Sequence, residues 1–305
     1  MFVYLIKRIL MTIPVLLAVS TIVFFLIHAI PGDPIDLIVG ENAMPADRSQ
    51  IAAELGLNKP VLVQYKDFLE GLVRGDWGKS IYDRRPVLSH ISERYGATLM
   101  LAVSAMFLAI LIAIPIGVFS AIEKGKFIDN FAMFLALIGI SIPNFWLGPV
   151  LVLIFSVHYG LLPISGMDSY GSLILPTITL GLSLSAMLSR LTRSSMIEEI
   201  KKEYMTTARA KGLTERTVIF KHAMRNAMNP VITIIGLQVG TLLAGAIITE
   251  KIFNWPGIGS LLLDSISRRD YPLVEGCVLI IAFTYVIVNA FTDCVYRIAD
   301  PRVKL

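Results

Sequence analysis

The chain has 305 residues, of which 55% are hydrophobic and only 16% charged, with a formal net charge of +4 and a pI near 9.0. A soluble domain usually carries about 25% charged residues, so this composition excludes an ordinary water-soluble protein, a disordered chain and a nucleic-acid-binding protein. The sequence therefore predicts a protein that is surrounded by lipid.

Six apolar stretches are long enough to cross a bilayer, because about 20 apolar residues span the roughly 30 Å of hydrocarbon. They cover residues 9–30, 97–121, 131–156, 172–190, 230–250 and 273–297. The first stretch follows Lys7 and Arg8 as in a signal peptide, but it is too long and no Ala-x-Ala site follows it. We therefore predict an all-α, polytopic membrane protein with six transmembrane helices, in which residues 1–30 remain as an anchor.

The segments between the predicted spans differ strongly in length and charge. Residues 31–96 form a charged insertion after the first helix, with short helices expected at 49–55 and 59–72. Residues 191–229 form a long basic link between the fourth and fifth helices, within a transmembrane core of residues 97–305. Because lysine and arginine concentrate on the cytoplasmic side of membrane proteins, we expect this basic link and both termini in the cytoplasm. The insertion then lies on the extracytoplasmic (periplasmic) side.

The basic link contains the pattern of a short helix that ends at a glycine. We expect the helix to begin at Glu203 and to end at Gly212, because glycine tolerates the left-handed conformation common just past a helix C-terminus. Thr214 is a suitable N-cap for a second short helix, which we expect to run towards Arg225. Two short helices that cross at a glycine would form a compact knob.

This basic link resembles the coupling segment of the membrane-spanning subunits of bacterial ATP-binding cassette (ABC) importers, in particular the dipeptide, oligopeptide and nickel branch. That branch commonly has Tyr, two further residues and then Thr-Ala-Arg-Ala-Lys-Gly, which Tyr204 and Thr207–Gly212 match in full. The wider family begins the motif with Glu-Ala-Ala, and Thr206 stands at the nominal Glu position. The later proline of the motif is replaced by Arg225, and Pro230 follows instead.

Shorter motifs of the same branch occur in the expected order along nearly the whole chain. They are Pro31-Gly32-Asp33-Pro34, Gly56-Leu57, Arg74-Gly75-Asp76-Trp77-Gly78, Arg225-Asn226-Ala227, Asn254-Trp255-Pro256-Gly257-Ile258-Gly259 and Arg269-Asp270-Tyr271-Pro272. The chain is thus similar to the first of the two paired permeases in dipeptide, oligopeptide or glutathione importers, the one with a large insertion after its first helix.

The resemblance implies a multi-pass permease of the bacterial cytoplasmic (inner) membrane, which forms a pathway for peptides with a second homologous permease. An extracytoplasmic binding protein would deliver the substrate, and two ATP-binding subunits would bind ATP and magnesium and hydrolyse the ATP. This chain itself would hold no cofactor and no metal, and it would not be an enzyme. The residues implied in coupling to the ATPase subunits are Tyr204, Thr207, Ala208, Arg209, Ala210, Lys211 and Gly212.

Polar side chains within spans usually face protein or water. Asn144, Gln238 and Asn289 are therefore candidates for the translocation pathway or for contact with the second permease. Glu275 and Asp293 are further candidates, but each lies near a span end, where a carboxylate can reach interfacial water.

Two further patterns concern the shape of the helices. Prolines within spans predict local bends, because each removes a backbone hydrogen bond; they are Pro115, Pro143, Pro149 and Pro176. Small residues on one face of the fourth helix predict close helix packing; they are Gly181, Ser183, Ser185, Ala186 and Ser189.

Other functions remain open from the sequence. A nickel or other small-solute importer of the same branch would share the motifs, and His28 is the histidine best placed for a nickel pathway. An ion-coupled secondary transporter would need inverted repeats and central ionisable residues, neither of which is clear here. A membrane hydrolase would need catalytic groups on one face, which the spans lack. Gly78-Lys79-Ser80 is not a phosphate-binding loop, because Val73 replaces the required first glycine.

Overall fold

The computed structural model describes residues 2–29, 35, 49, 52–53 and 56–299. Over these residues the chain is helical apart from connecting turns and one isolated bridge between Lys79 and Pro86, which confirms the predicted all-α fold. The principal helices, numbered in chain order, are α1 Phe2–Ala29, α2 Val61–Arg74, α3 Val87–Ile122, α4 Phe127–Ser141, α5 Asn144–Leu151, α6 Ile174–Ile200, α7 Glu203–Ala210, α8 Met224–Ile252, α9 Ile258–Ser267 and α10 Tyr271–Ala299.

Several sequence predictions fall on parts of the chain that the structure does not describe. Most of the predicted helix 49–55, the motif Pro31-Gly32-Asp33-Pro34 and the side chain of Asp293 lie outside the described residues. The predicted helix 59–72 is observed as α2, which begins after Pro60 and ends at Arg74.

Four helical segments in the described part of the chain are long and apolar enough to cross a membrane. They are Met11–Ala29, Val87–Ile122, Tyr170–Ile200 and Tyr271–Thr292. The predicted span 230–250 lies within α8, which does not belong to this set. Four spans, or five with the bent pair described next, are therefore supported, and the count of six stays a prediction.

The chain turns sharply in the middle of the predicted span 131–156, which confirms the bend predicted at Pro143. Helices α4 and α5 meet at an angle of 100° across the break at Ile142 and Pro143. Pro143 has an extended backbone conformation with φ −66° and ψ 140°, and proline also disfavours a helical conformation in the residue before it. The pair is either a broken span or a re-entrant segment, and α5 passes directly into the π-helical turn Val152–His158.

The chain divides into two compact units. The first unit comprises Met1–Thr98 and Pro256–Val286, and the second comprises Leu99–Trp255 and Ile287–Leu305.

Aromatic packing joins α1 to α2 within the first unit. The ring centroid of Phe24 lies 5.2 Å from that of Tyr65 and 5.7 Å from that of Phe68. The hydroxyl groups of Thr21 and Tyr65 are hydrogen-bonded at 2.6 Å. Burying large aromatic side chains is a major source of stabilisation, so these contacts hold α2 against α1.

A buried carboxylate fixes the segment that follows α2. Asp270 is 2% exposed and accepts hydrogen bonds from the Ser80 hydroxyl and from the backbone N–H of Ile81. The segment 76–84 is thereby tied to the residues that precede α10. The Gly78-Lys79-Ser80 sequence thus has a structural role, because Ser80 donates to this carboxylate.

The predicted small-residue face of α6 is confirmed as a packing surface in the second unit. A Cβ atom added at Gly181 would lie 3.0 Å from Leu108 and 3.1 Å from the carbonyl oxygen of Ala105. A Cβ atom added at Gly139 of α4 would lie 3.1 Å from the Cβ of Ala186. Small residues allow backbones to approach closely, and α6 uses them against both α3 and α4.

An ion pair also joins α4 to α6. Asp129 is fully buried and accepts two hydrogen bonds from Arg193, at 2.5 Å from Nε and 2.7 Å from Nη2. The backbone N–H of Gly125 donates to the same carboxylate at 2.8 Å. Arg193 therefore neutralises a buried charge at the start of α4.

Replacing Asp129 with Asn should destabilise the second unit. Removing one partner of a fully buried ion pair costs about 3–5 kcal/mol. Because the Arg193 side chain is 26% exposed, we expect a smaller loss of about 2 kcal/mol in the free energy of unfolding. The measurement is the Tm of the purified chain in detergent. The control Glu123→Gln breaks only the surface pair with Lys126, and an equal loss of Tm in both variants would contradict the proposed role of Asp129.

Candidate coupling site

The predicted helix in the basic link is confirmed as α7, together with its glycine end. The backbone N–H of Gly212 donates to the carbonyl of Arg209 at 2.9 Å, and that of Leu213 donates to the carbonyl of Ala208 at 3.4 Å. Gly212 has φ +79°. This pair of hydrogen bonds around a left-handed residue is the Schellman motif, which ends the helix and reverses the chain.

The predicted N-cap is also confirmed, but the second helix is longer than expected. The Thr214 hydroxyl accepts a hydrogen bond from the backbone N–H of Thr217. Beyond it the chain stays helical through Glu215–Thr217, the π-helical turn Val218–Ala223 and α8. The prediction of two separate short helices is therefore wrong, because the second one continues into α8 and does not end near Arg225.

Two side chains anchor α7 in a hydrophobic core of the second unit. Met205 is fully buried and Ala208 is 8% exposed. They pack in a cluster with residues of α3, α6 and the start of α8; its buried members are Val118, Ala121, Met196, Met205, Ala208, Val218, Ala223 and Ala227. Residues three apart share one face of a helix, so α7 has one buried face and is exposed on the others.

A polar network around Glu199 fixes the start of α7. Glu199 is 9% exposed, pairs with Lys202, and accepts a hydrogen bond from the Tyr204 hydroxyl at 2.6 Å. The Asn226 side-chain amide donates to the Tyr204 oxygen at 3.0 Å. Burial raises the pKa of Tyr204, and the hydrogen bond to Glu199 raises it further. Tyr204 therefore stays protonated at neutral pH and bridges the end of α6 to the start of α8.

An ion pair closes the turn at the other end of α7. Arg209 Nε donates to Glu215 Oε1 at 2.7 Å. This hydrogen bond raises the pKa of Arg209 and lowers that of Glu215, so both groups are charged at neutral pH. Arg209, one of the implied coupling residues, thus has an intramolecular partner across Gly212.

The implied coupling residues divide into one buried residue and a set of exposed ones. Ala208 lies in the core, whereas the remaining six are exposed: Tyr204, Thr207, Arg209, Ala210, Lys211 and Gly212. Leu213, which follows the turn, is an exposed hydrophobic side chain at 40%. The result is a short helix and turn with small, basic and apolar groups on a surface backed by a packed core.

The pathway candidates lie on separate helices of the second unit. Asn144 is the first residue of α5, and its Oδ1 atom is buried without a hydrogen-bond partner among the described residues. Gln238 of α8 is 7% exposed, and its amide donates to the Met187 sulfur at 3.1 Å. Asn289 of α10 is half-buried. These three polar side chains are thus buried or half-buried among the helices of the second unit. The Asn144 Oδ1 atom is able to accept a further hydrogen bond.

A cavity of about 580 Å³ lies between α4 and α6. Met187, the partner of Gln238, contributes to its wall together with Arg190 and Ser194. Arg190 is exposed, so a guanidinium group faces this space. The sequence predictions did not include this cavity, because helices that are far apart in the chain form it.

The side chains that hold the coupling helix α7 were not predicted from the sequence. Glu199, Asn226 and Glu215 have no motif that identifies them, since each acts through a contact between segments. Asn226 and its partner Tyr204 are separated by 22 positions in the sequence. Of these three residues, only Asn226 belongs to a family motif, Arg225-Asn226-Ala227. No role was assigned to that motif from the sequence.

Replacing Tyr204 with Phe should loosen α7 without unfolding the chain. The change removes the hydrogen bond to Glu199, and hydrogen bonds to charged groups contribute about 1.5–3 kcal/mol. Because Tyr204 is 37% exposed, we expect about 1 kcal/mol, which is about fivefold faster amide hydrogen exchange in α7. The control is Tyr170→Phe, at a fully exposed tyrosine. Unchanged exchange in α7 of the Tyr204 variant would show that the network does not hold the helix.

Comparison with known proteins places these features in one family. Residues 113–305 match the family described as the binding-protein-dependent transport system inner membrane component, and residues 1–102 match the N-terminal family of the membrane components of these systems. Among solved structures, a chain of the MetNI methionine ABC transporter in an inward-facing conformation has a TM-score of 0.56 at 16% identity. The match covers 70% of this chain and 97% of that chain, and it shows a likeness of fold.

Two curated relatives match this chain over almost its whole length. The dipeptide transport system permease protein DppB of Escherichia coli K12 is 42% identical over 333 residues, with 99% of this chain and 98% of that protein covered. The glutathione transport system permease protein GsiC of Salmonella typhimurium LT2 is 42% identical over 301 residues, with the same coverage. The helix α7, the turn at Gly212 and the core that backs them all lie within residues 113–305, and the chain belongs to the inner membrane components of binding-protein-dependent transport systems.

Proposed function

We propose that this chain is the permease of an ABC importer for short peptides, either di- or oligopeptides or glutathione. The observation that supports this is the 42% identity to both a dipeptide permease and a glutathione permease over 99% of the chain. The names of these two relatives give a dipeptide and glutathione as their substrates, so short peptides of two or three residues are the substrates to test first.

The alternative of a nickel importer has less support from the structure. Both ring nitrogens of His28 are engaged, Nδ1 with the Phe24 carbonyl at 2.8 Å and Nε2 with Gln64 Oε1 at 3.2 Å. A metal ligand needs a free nitrogen lone pair, so His28 is not poised for nickel. Uptake of labelled di- and tripeptides by cells with and without this gene tests the assignment. Uptake of nickel but not of peptides would contradict it.

In the proposed assembly, a second homologous permease completes the pathway and an extracytoplasmic binding protein delivers the peptide. Two ATP-binding subunits hydrolyse ATP with magnesium. The lysines and arginines of the basic link support a cytoplasmic position for it and for both termini. The insertion 31–96 then faces outwards, where it is available to the binding protein.

The exposed surface of α7 and its turn is the proposed docking site for an ATP-binding subunit. Closure of the ATPase subunits would displace α7, and a displaced α7 must move its core. Met205 and Ala208 share that core with residues of α3, α6 and α8. Displacement therefore reaches the helices of the second unit through direct packing, which is how ATP hydrolysis would switch the pathway between its two faces.

Replacing Gly212 with Val should stop ATP-driven uptake while the chain still inserts. A Cβ atom at this position would meet nothing within 4 Å, so space is available. The positive φ is strained for a β-branched residue, at a cost of about 1–3 kcal/mol. The measurements are peptide uptake and the amount of copurifying ATPase subunit.

The matched control for this prediction is Gly212→Asn. Asparagine tolerates the left-handed conformation, and this chain already uses it at Asn254 with φ 46°. We expect nearly normal transport from the Asn variant. Normal transport by the Val variant would rule out this turn as the coupling element.

Cysteines at two of the three pathway candidates, Asn144 and Gln238, should react with a small water-soluble thiol reagent. The background is Cys277→Ala with Cys294→Ala, and substrate or ATP should change the reaction rate if these positions line an alternating pathway. The control is Leu188→Cys, at a core position that is 1% exposed and should stay unreactive. If neither pathway position reacts in any state, the route lies on another face of the helices.

A further inference from the structure

The first unit contains a cavity of about 450 Å³ that is lined by none of the proposed coupling residues but by Glu275, one of the further pathway candidates. Its walls come from α1, α2, the segment between α2 and α3, and the start of α10. Phe24 and Glu275 are buried lining residues, whereas Asp76 and Lys79 are exposed ones. The cavity therefore extends from the interior of the unit to its surface, and its volume lies within the roughly 300–1,000 Å³ of small-molecule sites.

Glu275 is the buried charge-bearing group of this cavity. It is 6% exposed and makes no hydrogen bond or ion pair with any residue that the structure describes. Asp270 in the same unit is similarly buried, but it accepts two hydrogen bonds, from Ser80 and Ile81. Buried carboxylates are normally paired or hydrogen-bonded, so the cavity provides the space in which Glu275 would meet a cationic partner.

The exposed end of the cavity includes positive charge beside the carboxylate of Asp76. Lys79 is exposed and forms no ion pair within the described part of the chain. Lys59, the other lysine of the wall, is already paired with Asp67 at 2.6 Å. A carboxylate at the buried end and a free ammonium group at the exposed end match a ligand that carries both charges.

The wall between these charged groups is partly aromatic. Trp77 and Tyr271 both line the cavity, and Gly276, beside Glu275, lies close to the Trp77 ring, since an added Cβ would be 3.7 Å from it. His28 also lines the cavity, but its hydrogen bonds to Phe24 and Gln64 occupy it. Aromatic walls with a few placed polar groups are typical of small-ligand sites.

We propose that this cavity binds a short peptide with a free amino terminus, whose ammonium group pairs with Glu275 and whose carboxylate pairs with Lys79. The choice of a peptide as ligand rests on the proposed function. A zwitterionic lipid headgroup such as phosphatidylethanolamine offers the same primary ammonium, but the exposed wall at Asp76, Lys79 and Arg84 is charged. An acyl chain would have to pass this charged, exposed wall, which is unfavourable, whereas a peptide in water can contact it.

The test uses Trp77 as a reporter inside the cavity. The chain has three tryptophans, so full-length chain labelled with 5-fluorotryptophan and held in phosphatidylcholine nanodiscs gives few ¹⁹F resonances. Trp77→Phe identifies the Trp77 signal, and Trp146 and Trp255 serve as internal references in the second unit. The probes are trialanine, N-acetyl-trialanine and trialanine amide.

We expect trialanine to shift the Trp77 resonance and N-acetyl-trialanine to bind at least tenfold more weakly. Glu275→Gln should weaken trialanine at least tenfold and remove the preference for the free amine. Lys79→Gln, at an exposed position, should remove the preference for trialanine over its amide. The control Glu93→Gln, at an exposed glutamate paired with Arg85 outside the cavity, should bind like the wild type.

Three results would overturn the proposal. They are equal binding of trialanine and its N-acetyl form, wild-type affinity in Glu275→Gln, and a shift that appears only when phosphatidylethanolamine is added. If Glu275→Gln fails to fold, judged by the Trp255 resonance, the comparison of the three probes on the wild-type chain still decides the question.

Failure of this proposal is distinguishable from failure of the proposed function. Cells that import peptides while Trp77 responds to none of the probes would refute the cavity alone. A Trp77 response that requires a free amine, in cells that import no peptide, would support the site and refute the transport assignment.

Discussion

The hydrocarbon of a bilayer offers a peptide group no hydrogen-bonding partner, so each span must satisfy its backbone within the helix or by neighbouring protein. This constraint confines irregular geometry to the ends of helices. The sharp break between α4 and α5 at Pro143 is such a place, and the Asn144 oxygen left without a partner lies directly beside it. Irregular backbone at membrane depth is tolerated where it is buried in protein or lines a water-filled cavity, which is why Asn144 stays a candidate for the pathway.

Five of the family motifs, one of them in the basic link, mark helix ends of one kind. At each of these ends a left-handed residue is flanked by the two hydrogen bonds of a Schellman motif; the positions are Gly56, Gly75, Gly212, Asn254 and Arg269. The glycines were predictable, because only glycine adopts this conformation without strain. Arg269 was not, since nothing local favours a positive φ there. Its turn is followed at once by Asp270, which binds Ser80 and Ile81, and this tertiary contact holds the strained residue in place.

The sequence predicted the local features of the coupling site but not the contacts with distant residues that hold the helices of this unit in place. The start of α7 near Glu203, the turn at Gly212 and the cap at Thr214 follow from rules that involve four or five adjacent residues. The Arg193 partner Asp129 lies 64 positions away in the chain, and no periodicity indicates such a pair. The continuation of the helix beyond Arg225 into α8 was also not predicted.

The two alanines of the coupling motif have different physical roles. Ala208 is buried against the core, where its small side chain lets α7 lie close to the helices beneath it. Ala210 is exposed, so the same small size leaves a flat surface beside the Gly212 turn. A proposed docking helix needs both properties at once. A partner must be able to approach the outer face of the helix closely. The inner face must be packed tightly enough that a displacement of the helix also moves the core and does not only bend the basic link.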